Sequence, residues 1–237
     1  MNLLELPYSD EPELIDNPST PEDDVARSMD DLVTVNRFFG GIHSVVVPLL
    51  RLLRDVPAGG AVRILDIGTG SGDIPRAVVA ALVRRGIAAT VVGVDLNWRM
   101  LRMAAARPDD DVCLVRADAL ALPFADASFE VALCSMTLHH LGLEASASLL
   151  KAFDRLTTRG FVVTDLVRDR ISQAMMLTGL RLMRARPMTL HDADASVRRA
   201  FTLRDAEKLV GLSGVQGVRI DSTWHYRLRI VQEKASG

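Results

Sequence analysis

In the stretch RILDIGTGSGDIP (63–75), Asp66 ends an apolar run, and Gly68, Gly70 and Gly72 follow at every second position, with Thr69 and Ser71 between them. A carboxylate beside so much bare backbone suits a ligand that comes very close to main-chain N–H groups. A second acid, Asp95, closes the run ATVVGVD, and a third, Asp118, closes VCLVRAD. Two adjacent histidines, His139 and His140, follow the run FEVALCSM, which ends in Ser135 and Met136. A histidine titrates near neutral pH and suits proton transfer; packing or capping in the loop is the alternative role for each. No further ligand is spaced to join the pair around an ion, so no metal site is expected. Cys113 and Cys134 lie in separate apolar runs without a pairing pattern, and read as two buried reduced thiols.

The elements that must position these residues follow from periodicity. AVRILDIG, ATVVGVD, VCLVRAD, FEVALCSM and GFVVTDLV read as buried strands, and helices are predicted over 74–85, 97–106 and 144–156. Strands alternating with helices imply a parallel sheet covered on both faces. VRIDSTWHYRLRIVQ has the alternation of a two-stranded hairpin, with Trp224, His225 and Tyr226 as sheet residues. The expected fold class is therefore α/β, a doubly wound, mostly parallel seven-stranded sheet. Outside it, helices are predicted over 23–38 and 42–53, with Pro48 bending the second or marking its start. A helical insertion spans 168–200, and a helix over 203–212 is capped by Thr202. Residues 1–21, with four prolines among acids, read as an extended or loosely ordered arm. The expected division is an arm with lid helices over 1–54 and a ligand-binding domain over 55–237, its 168–200 insertion covering the substrate.

In such sheets ligands bind beyond the carboxyl ends of strands, where Asp66 and Asp95 sit. A dinucleotide wants G-x-G-x-x-G, but counting from Gly68 the last position is Asp73. An acid beside the turn repels a pyrophosphate and suits a cationic amino-acid end. S-adenosylmethionine (SAM) carries an ammonium, a sulfonium and a ribose, and no phosphate; a carboxylate at Asp95 accepts two ribose hydroxyls side by side.

ILDIGTGSG, VVGVDLNWRML and ADALALPFADASFEVALCSMTLHHL resemble the successive motifs of class I SAM-dependent methyltransferases, over roughly 62–165. The most similar set is the small-molecule one that includes the ubiquinone and menaquinone biosynthesis methyltransferases. Glu130 stands where that family usually has Asp, and LTTRG where it usually has a Lys-Pro-Gly-Gly turn. The resemblance implies a Rossmann-like methyltransferase fold. It also implies that Asp66 and the glycine turn hold the methionine end, Asp95 the ribose, Leu96 and Met100 the adenine pocket, Asp118 the adenine amino group and Ala119 the ring beside it. Ser135 would face the transferred methyl. Leu96 and Met100 also read as ordinary core, and Asp118 as a turn residue.

The expected reaction is methylation, at oxygen or carbon, of a small aromatic, quinone-like or polyketide-like acceptor, with His140, and less so His139, as the catalytic base. Two other classes stay open: a nicotinamide-dependent oxidoreductase, which Asp73 and a missing Tyr-x-x-x-Lys pair disfavour, and a non-catalytic SAM-binding regulatory module. His191, Asp192, Arg198 and Arg199 either contact a polar substrate group or tie the insertion down. Met175, Met176, Leu180 and Met183 read as core or as an apolar substrate surface. The 237 residues carry a net charge of −2, which recruits no nucleic acid. No apolar run approaches a membrane span and the start lacks a signal-peptide pattern, so a cytoplasmic soluble protein is expected.

Overall fold

The computed structural model describes residues 4–38, 40–107, 111–223 and 227–234. Seven strands form one sheet: β1 (Ala61–Ile67), β2 (Ala88–Asp95), β3 (Val112–Arg116), β4 (Phe129–Ser135), β5 (Thr157–Leu166), β6 (Val218–Ser222) and β7 (Arg227–Glu233). Their order is β3-β2-β1-β4-β5-β7-β6. β1 to β5 run parallel, and β7 is antiparallel to both β5 and β6. The chain leaves β1 toward β3 on one side and resumes at β4 on the other, so the topological switch lies between β1 and β4. The expected hairpin thus closes the sheet edge, with its second strand placed inward. Its residues Trp224, His225 and Tyr226 lie outside the described residues.

Period-two alternation explains why the central strands read as unbroken apolar runs. Val62 and Ile64 of β1 pack on one face with Val45 and Leu49 of α2 (Gly41–Leu52) and Val78 and Leu82 of α3 (Asp73–Val83). Leu65 and Ile67 pack on the other with Leu149 and Phe153 of α5 (Leu143–Leu156) and Leu209 of α8 (Leu203–Ser213). A strand covered on both faces has no solvent side to be polar on. Thr202 caps α8 in a reciprocal capping box with Asp205. Pro48 sits inside α2 rather than at its start, held by the buried face of Val45, Leu49 and Leu52 around it. Where a Lys-Pro-Gly-Gly turn was the family norm, α5 passes straight into β5 at Thr157.

Two expectations are corrected. Residues 4–21 are packed rather than loosely ordered. Leu6 is buried against Leu166, Val197 and Ala200, and Ile15 against Val25, Met29 and Met100. Arg168 donates to Leu6 O (2.8 Å), and the Leu14 and Ile15 N–H groups donate to Asp192 (2.7 and 3.0 Å). Average composition hides such anchors: two well-placed apolar side chains and a few backbone hydrogen bonds hold an otherwise acidic segment. Secondly, Cys113 is exposed, because β3 is the sheet's edge strand; only Cys134 is buried.

The remaining helices enclose the switch point. They are α1 (Glu22–Phe38), α4 (Trp98–Ala105), α6 (Arg170–Leu182) and α7 (Pro187–Arg199). No single helix among the described residues is long and apolar enough to cross a membrane.

Candidate active site

A cavity of about 940 Å³ opens beyond the carboxyl ends of β1, β2 and β4. Asp66, Gly68, Thr69, Gly70, Asp95, Leu96, Met100, Asp118, Ala119, Ser135, His139 and His140 all line it. Gly72 does not; it caps the N-terminus of α3 with φ 75°, next to the Arg76 side chain. Arg76 donates to the carbonyls of Ser71, Gly72 and Ala104, clamping the back of the turn to α4.

The glycines divide the work. Gly68 has φ 71°, and a Cβ there would collide with Thr137. Gly70 has φ 54°, and the nearest atom to a Cβ there would be Met29 Cε at 3.7 Å, so its bare face borders the cavity. Asp95 ties this turn to the second loop: Oδ2 accepts from Gly70 N–H (2.9 Å) and Oδ1 from Asn97 N–H (2.8 Å). Asp66 is 2% exposed, and its Oδ2 has no hydrogen-bond partner among the described residues. Burial, with the charges of Asp73 and Asp95 adding, pushes its carboxyl up to about 7. Burial likewise raises Asp95, against the two N–H bonds it accepts. Eight acidic side chains line the cavity against three arginines. Such a wall favours a cation and opposes a pyrophosphate. An orphaned buried carboxylate oxygen beside an uncovered glycine fits the ammonium end of SAM.

The residues expected on the adenine side are more open. Asp118 is exposed and accepts from Leu120 N–H (2.9 Å), a turn-forming contact that leaves its second oxygen available. Leu96 is 60% exposed at the cavity edge, so it is not a core residue. Met100 is both: buried with Ile15 and Met29, and part of the wall. Ser135 shares a hydrogen bond with Thr164 (3.1 Å).

The other end holds the histidines, on a 3-10 turn spanning Leu138–His140. His139 Nδ1 lies 2.7 Å from Asp165 Oδ1 and its Nε2 lies 3.2 Å from Glu13 Oε1. Burial alone would lower this imidazole, but the Asp165 charge and hydrogen bond, joined by Glu13, hold it up at about 10. Both carboxylates thus favour the protonated ring, which disfavours His139 as a general base. Glu13 is correspondingly held down at about 2, the pull of His139 and His140 outweighing burial. His140 is more open, with Nδ1 3.3 Å from Asp16 Oδ2 and Nε2 3.7 Å from Glu13 Oε1.

Sequence reasoning missed Glu13, Asp16, Asp165 and Arg227, all part of this end. Arg227, in β7, is buried and lines the cavity beside Met136 and Asn36. An acid and an arginine within otherwise apolar strands were the available signals for Asp165 and Arg227. Nothing local marks Glu13. Among the segments outside the sheet, Asp192 and His191 tie the arm to α7 through Leu14, Ile15 and Glu11, and Asp192 also lines the cavity. Arg198 pairs with Asp194 on the same helix. Of the methionine stripe, Met176 and Leu180 reach the cavity, whereas Met175 is partly exposed.

Residues 64–160 match the family model described as "Methyltransferase domain". The chain is 32% identical over 120 residues to the ubiquinone/menaquinone biosynthesis C-methyltransferase UbiE of Syntrophotalea carbinolica, covering 47% of this chain and 49% of that protein. It is 41% identical over 71 residues to a demethylmenaquinone methyltransferase of Thermus thermophilus, covering 29% of this chain and 30% of that one. The matches thus span half or less of the length of these curated relatives. The fold is shared with the magnesium protoporphyrin IX methyltransferase of Synechocystis, solved with bound SAH, at TM-score 0.57 and 18% identity, over 91% of this chain and 95% of that one. Asp73, at the position where a dinucleotide fingerprint needs glycine, accepts from Asn36 at the start of α3. By motif, matched model and sheet order together, residues 64–160 form a methyltransferase domain of the class I SAM-dependent kind.

Proposed function

We propose that the protein transfers a methyl group from SAM to a small-molecule acceptor, at oxygen or carbon of an aromatic, quinone-like or polyketide-like compound. The observation that carries this reading is one continuous cavity with Asp66 and the glycine turn at one end and an enclosed acid–histidine cluster at the other. At about 940 Å³ it lies near the top of the range for one small ligand, about 300–1,000 Å³, leaving room beside a nucleoside.

When bound, SAM supplies an electrophilic methyl on a sulfonium, so the protein's main task is alignment. Asp66 accepts from its ammonium, and the bare face of Gly70 lets the chain lie against backbone. Asp95 accepts from the ribose hydroxyls while holding the turn through Gly70 N–H. Leu96, Met100, Asp118 and Ala119 frame the base, and Ser135 borders the reacting end. Residues from the N-terminal arm, α1, α6 and α7 act as a lid that excludes water, which strengthens the charge interactions inside. Met176 and Leu180 supply an apolar wall for the acceptor. In the absence of another ligand on its ring, His140 is the residue that takes the acceptor's proton, because it is the more open ring while His139 is clamped between Asp165 and Glu13.

The test is calorimetric titration of the intact chain with SAM, followed by turnover of labelled SAM against phenols, quinone precursors and polyketide-like enols, with amines as the contrasting panel. Stoichiometric binding and methylated phenol or enol products support the proposal. A folded chain that binds no SAM overturns it.

A further inference from the structure

We propose that Glu13, His139 and His140 form a binding site for one first-row divalent metal ion of the zinc type, with its open coordination position facing the cavity.

Three features of the geometry carry this. First, both imidazole Nε2 atoms converge on the same oxygen, Glu13 Oε1, at 3.2 and 3.7 Å, and all three candidate ligand atoms lie within 4.8 Å of one another. Ligands held at about 2.0–2.2 Å from one ion stand roughly 3–3.6 Å apart, close to the two histidine–carboxylate separations found here. The longer separation exceeds a hydrogen bond, so hydrogen bonding alone does not account for the convergence of His140. Secondly, each histidine has a carboxylate on its other nitrogen: Asp165 at 2.7 Å from His139 Nδ1 and Asp16 at 3.3 Å from His140 Nδ1. That arrangement places the ring proton on Nδ1 and turns the Nε2 lone pair toward the shared centre, as metal-ligating histidines are usually held. Thirdly, all three ligand residues line the cavity, and two histidines with one carboxylate is a set that leaves positions open for an exogenous oxygen.

Glu13 and Asp165 set two carboxylates beside His139, a negative potential that favours a dication. Ion binding turns His139 and His140 into ligands. The acceptor oxygen would then bind as an oxyanion, its proton released to solvent on coordination instead of to a free His140, which selects acceptors with an ionisable phenol or enol oxygen. That consequence rests on the methyl-transfer reading; the site itself does not.

The experiment is titration of the untagged full chain with Co²⁺, read by its visible absorption bands, with displacement by Zn²⁺ and SAM binding measured on the same samples. One Co²⁺ per chain is expected, displaced by Zn²⁺. Glu13→Gln and His140→Ala should abolish the bands, and Asp16→Asn should weaken binding about 10- to 100-fold. Retained SAM binding in the variants, with unchanged circular dichroism, separates loss of the site from loss of the fold. Because His140 and Asp16 are partly exposed, those two variants carry the test should Glu13→Gln unfold. Absence of stoichiometric Co²⁺ binding by the folded chain, or binding that persists unchanged in His140→Ala, overturns the proposal whatever SAM does.

Discussion

At the glycine-turn end of the cavity, Asp66, Gly70, Asp95 and Asp118 come from successive strand ends of one sheet. At the histidine end, Glu13, Asp16, His139, His140 and Asp165 come from the arm, the loop after β4 and the end of β5. The first end recognises with backbone and isolated carboxylates, and leaves one buried oxygen of Asp66 without a partner. The second satisfies its charges internally, each imidazole lying between two acids. An unsatisfied buried charge is poised for a ligand; a satisfied network is rigid, and opens only for a ligand that replaces its contacts. The contrast teaches which end should respond to the nucleoside and which to the acceptor.

The sharpest way to break the comparison is Asp95→Ala. It removes the charged acceptor of two backbone N–H groups, each worth about 1.5–3 kcal/mol, as well as the proposed ribose contact. SAM affinity should fall at least about 100-fold, while His140→Ala changes it by less than about threefold. Equal losses by calorimetry would mean the two ends are not separate.

Protonation of Asp66 should show next. With its carboxyl raised from 3.8 to about 7, it is largely neutral below that pH in the free protein. SAM affinity should therefore fall as pH drops below about 7, by up to about tenfold per unit, and Asp66→Asn should flatten that slope. The stability sign is opposite to that of a paired carboxylate. Between pH 3.8 and about 7 the folded chain holds the proton that the unfolded chain releases, so this group's contribution is lost as pH rises through that window. Thermal melts without SAM should accordingly show Asp66→Asn more stable than the parent at pH 8.

Asp192→Ala probes the second end. It leaves the Leu14 and Ile15 N–H groups without their acceptor, at a local cost of about 1–3 kcal/mol. Limited proteolysis should cut the arm faster while SAM affinity stays within a few-fold. Loss of SAM binding on the scale of Asp95→Ala would show that the arm builds both ends. The smallest effect belongs to a residue remote from the cavity: Thr202→Ala removes the α8 cap at about 1 kcal/mol, lowering Tm by roughly 2–4 °C with SAM binding unchanged.

These two ends were not equally legible. ILDIGTGSG, Asp95 and Asp118 could be placed because a strand–turn–helix unit fixes side-chain direction within a few residues, and parallel pairing then sets the strand ends side by side. The same local rules gave the helix positions, the Thr202 cap and the terminal hairpin. They misread the arm, since Leu6 finds its partners more than a hundred residues away and Ile15 packs on Val25, Met29 and the distant Met100. Cys113 looked buried because an edge strand carries the same apolar pattern as a central one.

What the sequence by itself determined was the sheet, its glycine turn and the acids at its carboxyl edge, all products of short-range periodicity and backbone sterics. Only the tertiary structure decided that Glu13 reaches His139 and His140, that Asp165 backs one ring and Asp16 the other, and that His139 is pushed toward its protonated form. Those facts depend on how a distant segment closes over the sheet, and on the low-dielectric enclosure that closure creates. No spacing along the chain encodes either.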